Sequence, residues 1–226
     1  MDQLFDYNVY IFDCDGVLLD SNSSKITAMR KTLESIDCIE GGIDSAVKYF
    51  KENFGRSRYH HVEEFLRNHL LIRQFPYVNT LNLEHQILDR YSLEVTNLYK
   101  SSPIVPYVEK VLGKISNNKF VASGSEQAQL RDALSCRNLA HYFKGIFGSP
   151  VKKVDIVREI VKASSTVLDK HIVMIGDSVA DLEAAHSNGI DFIGITKYSN
   201  APNALIDRCR EFDHRVILSW KDIEID

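Results

Sequence analysis

Residues 10–21 read YIFDCDGVLLDS. The run that leads into them (Val9, Tyr10, Ile11, Phe12) is apolar without alternation, as in a strand buried on both faces of a parallel sheet. It ends by placing two carboxylates, Asp13 and Asp15, on either side of Cys14. Alternation along an extended chain puts both on the same side. At roughly 4 Å and an effective dielectric near 20, two such charges repel by about 4 kcal/mol. A fold that keeps them together needs a cation, a shared proton, or both.

Outward from this stretch, apolar runs at 7–12, 119–123, 144–147, 171–175 and 191–195 read as buried strands, and 215–218 reads as an edge strand. After residue 105 they alternate with helical patterns at 107–115, 126–134, 154–162, 179–187 and 202–208. Such alternation predicts an α/β fold, a doubly wound parallel sheet with right-handed crossovers. Residues 22–102 break the rhythm with helical periodicity (Ile26, Met29, Leu33; Val62, Phe65, Leu66) and no convincing strand. Two prolines in SSPIVPYV, 101–108, mark the return to the sheet. The expected organisation is a core of residues 1–21 and 103–226 with a helical domain, 22–102, inserted after the first strand.

The 226 residues carry a net charge of −4, which leaves no basic field for nucleic acid or an anionic membrane. No apolar run approaches the ~18 residues of a membrane span. The acidic start, MDQLFDYN, leads straight into a strand and does not read as a secretory signal. Four scattered cysteines without a CxxC pair read as reduced thiols. A cytoplasmic protein is expected. The eight histidines show no HExxH spacing, and the adjacent His60 and His61 point to different helix faces.

In open α/β sheets, sites lie beyond the carboxyl ends of the strands. Four polar signals fall there: Asp13-Cys14-Asp15-Gly16, Ser123-Gly124-Ser125, Lys152-Lys153, and VMIGDSVAD with Asp177 and Asp181. Each alone has an ordinary explanation as a turn, a helix cap or a solvated face. Together they have a common chemistry. Asp13, Asp15, Asp177 and Asp181 suit a hard divalent cation with oxygen ligands, since no His or Cys accompanies them. Ser123 offers a hydroxyl near a helix start that favours an anion, and a lysine adds positive charge near transferring oxygens. This is a phosphoryl-transfer site in which one carboxylate attacks and its neighbour moves the proton.

These four motifs resemble those of the haloacid dehalogenase-like hydrolase superfamily, in particular its helical-cap group of phosphoglycolate phosphatase and β-phosphoglucomutase type. The resemblance spans the chain, including a cap between the first and second motifs. It implies that Asp13 forms an aspartyl-phosphate and that Asp15 protonates the leaving group and then activates water. It also implies Mg²⁺ held by the Asp13 carboxylate, the Asp15 backbone carbonyl and Asp177, supported by Asp181, with Ser123, Gly124 and a lysine on the phosphoryl oxygens. The dehalogenases lack an acid-base Asp at the position of Asp15, which argues against dehalogenation. The third motif departs from the common Lys-Pro-x-Pro-Asp form and offers Lys152 and Lys153. The apolar face Val154, Val157, Ile160 and Val161 favours Lys153.

In FGRSRYHHVEEF, 54–65, Arg56 could reach a polar or anionic substrate, or be an exposed residue at a capped helix start. Asn22 and Lys25 are further candidates for leaving-group contacts. The segment also resembles the cap of bacterial members found with surface-polysaccharide pathways, which implies a sugar or polyol phosphate. The expected function is a Mg²⁺-dependent phosphatase acting on a small phosphorylated metabolite, in an unspecified oligomeric state. The alternatives are a phosphomutase and a non-catalytic binding protein on the same fold. In the β-phosphoglucomutases a cap His stands twelve residues after the nucleophile, where this chain has Lys25.

Overall fold

The computed structural model describes residues 3–73, 80–164 and 171–224. Strand β1 (Val9–Phe12) is fully buried. Tyr10 and Phe12 enter one apolar core while Val9 and Ile11 enter another. That two-sided burial is why its sequence runs apolar without alternation.

After β1 comes a helical layer: α1 (Asn22–Glu34), β2 (Ile39–Gly41), α2 (Ile43–Glu52), α3 (Arg58–Glu64), β3 (Leu71–Ile72) and α4 (Thr80–Ser101). Its apolar residues form a third core, with Met29, Leu33, Phe50, Val62, Phe65, Ile87 and Tyr91 among them. The sequence reading expected no strand here, yet β2 and β3 pair as a small antiparallel sheet. Three and two residues are too few to show a period of two, so only the fold reveals them.

The chain then returns through α5 (Val108–Lys114), β4 (Asn118–Glu126), α6 (Gln127–Cys136), β5 (Gly145–Ser149), α7 (Lys153–Ala163), β6 (Ile172–Gly176), α8 (Val179–His186), β7 (Asp191–Ile195), α9 (Pro202–Glu211) and β8 (Arg215–Ile217). The sheet is parallel throughout, in the order β5-β4-β1-β6-β7-β8. Renumbered along the chain this is 3-2-1-4-5-6, the doubly wound order whose direction reverses at the first strand. Helices α5 and α6 contribute to the core on one face, and α7, α8 and α9 to the core on the other. The crevice at the reversal opens beyond the carboxyl end of β1, between β4 and β6. Among the described residues, no helix is long and apolar enough to cross a membrane.

Candidate active site

Phe12, the last residue of β1, pairs with Val121 on one side and Ile175 on the other. Two residues further on along the neighbours stand Ser123 and Asp177, flanking Asp13 and Asp15. The ladder continues into Asp13, whose N–H donates to the Ile175 carbonyl at 2.9 Å. Strand β4 extends past the expected residue 123, but its register with β5 shifts between Ala122 and Glu126. Ser123, Gly124 and Ser125 occupy that irregular stretch, where side chains leave the regular pleat.

The turn after β1 closes on the Cys14 carbonyl, which accepts from the N–H groups of Leu18 and Leu19 at 2.9 Å each. Gly16 has φ +74, and a Cβ there would lie 2.2 Å from Asp177 Oδ2. Both the left-handed backbone and the close approach require glycine.

Asp13 is 1% exposed, and Asp177 and Asp181 are equally enclosed. One carboxylate oxygen from each lies within 4.8 Å of the others. Asp181 sits at the third position of α8 and accepts from the Ser178 N–H at 3.1 Å and the Ser178 hydroxyl at 2.6 Å. Ser178 in turn accepts from the Asp181 N–H, a reciprocal capping box. The other Asp181 oxygen takes a hydrogen bond from Lys153. Lys153 also donates to Asp13 Oδ1 at 3.0 Å. Of the two candidate lysines, Lys153 is buried in the site and Lys152 is exposed before α7.

Burial, then the charge of Asp181, push the Asp13 carboxyl up against the pull of Lys153. Burial, then Asp13 and Asp181, push Asp177 well above the ordinary carboxylate range. Burial alone would lower Lys153, but Asp13 and Asp181 outweigh it and raise the ammonium. Fully ionised, three carboxylates against one ammonium would leave two formal negative charges in a buried pocket, and a divalent cation would both match that surplus and release the protons that burial favours. Asp177 Oδ1 is buried and, among the described residues, has no hydrogen-bond partner. An all-oxygen donor set with an orphaned acceptor fits a hard cation.

Asp15 faces a different environment. Lys25 Nζ lies 2.7 Å from each of its carboxylate oxygens. The hydroxyls of Ser21 and Ser125 donate to it at 2.5 and 2.9 Å. Burial would raise its pKa, but the Lys25 charge and these hydrogen bonds outweigh burial and lower it. Lys25 also donates to Ser125 Oγ at 2.6 Å and sits 3.7 Å from the Tyr99 ring centroid.

Other candidates are placed less simply. Asn22 Nδ2 donates to Asp177 Oδ2 at 2.7 Å and to the Tyr198 carbonyl at 2.8 Å. Arg56 pairs with Glu183 of α8 at 3.2 Å. Ser123 is fully buried, and its hydroxyl accepts from the Ser125 N–H at 3.2 Å. Sequence reasoning missed Ser21 and Ser125 as partners of Asp15, although both lie within the motifs it quoted. Tyr99, 85 residues from Cys14, carried no local signal, and its hydroxyl donates to Cys14 Sγ.

The solved structures that the chain resembles share this architecture. A predicted phosphatase from Clostridium acetobutylicum aligns at TM-score 0.74 and 19% identity, over 96% of this chain and 95% of that one. A hydrolase from Pseudomonas syringae aligns at 0.72 and 16%, over 95% of each chain. A predicted phosphoglycolate phosphatase from Haemophilus somnus aligns at 0.69 and 16%, over 96% of each. A comparison with curated proteins finds no match. The family model described as haloacid dehalogenase-like hydrolase matches residues 10–195, from β1 through β7 and across every element that builds the site. The chain belongs to the haloacid dehalogenase-like hydrolase family.

Proposed function

We propose that the protein is a Mg²⁺-dependent phosphatase that hydrolyses a small organic phosphate monoester through an aspartyl-phosphate on Asp13. The observation that carries this reading is the division of labour at the end of β1. Asp13 belongs to a buried acidic cluster with surplus negative charge, while Asp15, two residues on, is separately clamped by Lys25. Carboxylates held in unlike environments suit unlike roles. Names of similar structures, including predicted phosphatases, agree with it.

Asp13, Asp177 and the Asp15 main-chain carbonyl would hold Mg²⁺, with Asp181 bracing the group through Lys153. Bound there, the cation would neutralise the carboxylates and draw charge from the phosphoryl oxygens. In the first step an Asp13 oxygen attacks phosphorus, the bond to the leaving oxygen breaks, and that oxygen takes a proton from Asp15. In the second, Asp15 takes a proton from water, the water oxygen attacks phosphorus, and the bond to Asp13 breaks. Inorganic phosphate leaves and both aspartates are restored. Lys153, Ser123 and Gly124 would meet the phosphoryl oxygens. Residues 22–102 act as a cap that excludes water during transfer. Substrate is a small phosphorylated metabolite, for which the sequence resemblance favours a sugar or polyol frame, and the protein works in the cytoplasm.

The test is release of a chromophore from an aryl phosphate with Mg²⁺. Asp13→Asn keeps the shape and removes the attacking charge, so turnover should fall by about a thousandfold or more with the fold intact. Chelation should abolish activity and Mg²⁺ restore it. An Asn variant that keeps more than about a tenth of the wild-type rate would exclude the covalent route.

A further inference from the structure

Asn22, the first residue of α1, is 3% exposed, and both of its amide protons are committed. One goes to Asp177 Oδ2 at 2.7 Å and the other to the Tyr198 carbonyl at 2.8 Å. Two acceptors on one nitrogen fix the orientation of the amide, because turning it over would set its oxygen against two others. The same Asp177 oxygen is also closed off by the turn after β1. A Cβ on Gly16 would lie 2.2 Å from Asp177 Oδ2 and 2.8 Å from Asn22 Nδ2, so the glycine backbone packs against that hydrogen bond. What stays open on Asp177 is Oδ1, buried and, among the described residues, without a hydrogen-bond partner. Asn22 Oδ1 is a second buried acceptor in the same condition.

The neighbouring carboxylates are divided in a similar way. Lys153 donates to Asp13 Oδ1 at 3.0 Å. Asp181 is engaged on both oxygens, one by Lys153 and the other by the Ser178 N–H and hydroxyl. A hard cation among these groups therefore meets one open oxygen of Asp177 rather than a chelating pair. Mg²⁺ and Ca²⁺ answer that difference oppositely. Mg²⁺ demands near-octahedral geometry at ~2.0–2.1 Å and keeps several waters, so single carboxylate oxygens suit it. Ca²⁺ takes about six to eight oxygens at ~2.3–2.6 Å and often both from one carboxylate.

We propose that Asn22 is a positioning residue that sets cation selectivity: by holding Asp177 Oδ2 it confines Asp177 to ligation through one oxygen and so disfavours Ca²⁺ against Mg²⁺. This rests on the cation part of the reading above and not on the identity of the substrate. A carboxamide suits the task. It donates without adding charge, so it fixes the oxygen and leaves the negative charge of Asp177 to the cation, which a lysine in its place would cancel. The Tyr198 carbonyl braces the amide from the turn after β7, so Asn22 cannot follow the carboxylate if it rotates.

Titration calorimetry with Mg²⁺ alone and with Ca²⁺ alone reads the two affinities. Asn22→Leu keeps most of the volume and removes the donor, and Asn22→Ala removes both. Each should shift the ratio of the two affinities toward Ca²⁺ by about fivefold or more. Infrared difference spectra of the carboxylate stretches give a second readout without turnover. The separation between the symmetric and antisymmetric bands narrows when a carboxylate binds a cation through both oxygens. Neither ion should narrow it in the wild type, and only Ca²⁺ should do so in the variants.

Melting in chelator checks that each variant is folded. An unchanged ratio would overturn the assignment, as would an equal loss for both ions, because a merely structural residue weakens both alike. A shift confined to Asn22→Ala would trace selectivity to space rather than to the hydrogen bond, and would overturn it too. Narrowing by Ca²⁺ in the wild type would do so without any variant. A wild type that binds no Mg²⁺ would remove the cation reading together with this one, whereas Mg²⁺ binding with an unmoved ratio would remove this one alone.

Discussion

At the scale of single residues, Asp13 and Asp15 show how one strand end makes two different acids. Both are buried, yet one is crowded by Asp177 and Asp181 and the other is neutralised by an ammonium. The crowding has a thermodynamic consequence. Burial and the neighbouring charges of Asp13 and Asp181 raise Asp177, so the folded chain keeps a proton that the unfolded chain releases. Stability tied to that group is greatest below the ordinary carboxylate pKa and falls as pH rises toward neutrality. A cation that binds only the folded chain offsets the loss by mass action. In chelator near neutral pH, Asp177→Asn should melt at or above the wild-type temperature, because it removes one repelling charge. Millimolar Mg²⁺ should raise the wild-type melting temperature by several degrees and leave the variant almost unmoved. Equal Mg²⁺ shifts in the two proteins would remove Asp177 from the cation's ligands.

At the scale of elements, the first turn of α1 frames both halves of the site. Ser21, Asn22 and Lys25 occupy the cap, first and fourth positions of that helix, and Ser21 spends its hydroxyl on Asp15 rather than on capping. Asn22 holds Asp177, and Lys25 holds Asp15. Lys25 is thus a positioning residue that favours the ionised form of Asp15, the form left once the leaving group has taken its proton and the one needed to take a proton from water. Lys25→Met would leave burial unopposed, so the Asp15 pKa should rise. Where the second, hydrolytic step limits turnover, the acidic limb of the kcat–pH profile grows as Asp15 ionises, and it should move to higher pH while kcat falls. Lys25→Arg should restore part of the shift. A lower kcat with an unmoved limb would make Lys25 a packing residue only. This framing was not legible in the sequence. Asp13, Asp15, Asp177 and Asp181 announced themselves because each follows an apolar strand closely. The roles of Asn22 and Lys25 depend on partners 155 and 100 residues away, Asp177 and Ser125. Arg56 was legible as a basic residue near the site, but its pairing with Glu183 was not, since only the packing of the helical layer on α8 brings them together.

At the scale of the whole molecule, the doubly wound parallel sheet followed from strand-helix alternation, whereas its strand order and the closeness of the helical layer to the sheet did not. A Cβ on Gly124 would lie 2.5 Å from the Gly55 carbonyl, so backbone meets backbone where the layer covers the site. The cavity beneath, about 30 Å³, is water-sized beside the roughly 300–1,000 Å³ of a typical ligand pocket. A second cavity of about 320 Å³, lined by Gly55, Arg56, Gly124 and Lys153, leads to the lysine side of the site, so only a leaving group beside Asp15 needs the layer displaced. A phosphomutase needs the aspartyl-phosphate protected until a sugar hydroxyl arrives, with closure coupled to the acid-base residue. Lys25 stands where the β-phosphoglucomutases, by resemblance, place a His for that coupling. Here it lies on both oxygens of Asp15, and a lysine ammonium does not release a proton near neutral pH unless its pKa is strongly depressed. After the first proton transfer, an ionised Asp15 beside a water-sized space favours activation of water over transfer to a sugar. Phosphorus NMR of the protein with glucose 1-phosphate and a trace of the bisphosphate should show inorganic phosphate growing without a glucose 6-phosphate signal. A 6-phosphate signal that grows faster than inorganic phosphate would replace hydrolysis by transfer as the reaction of this site.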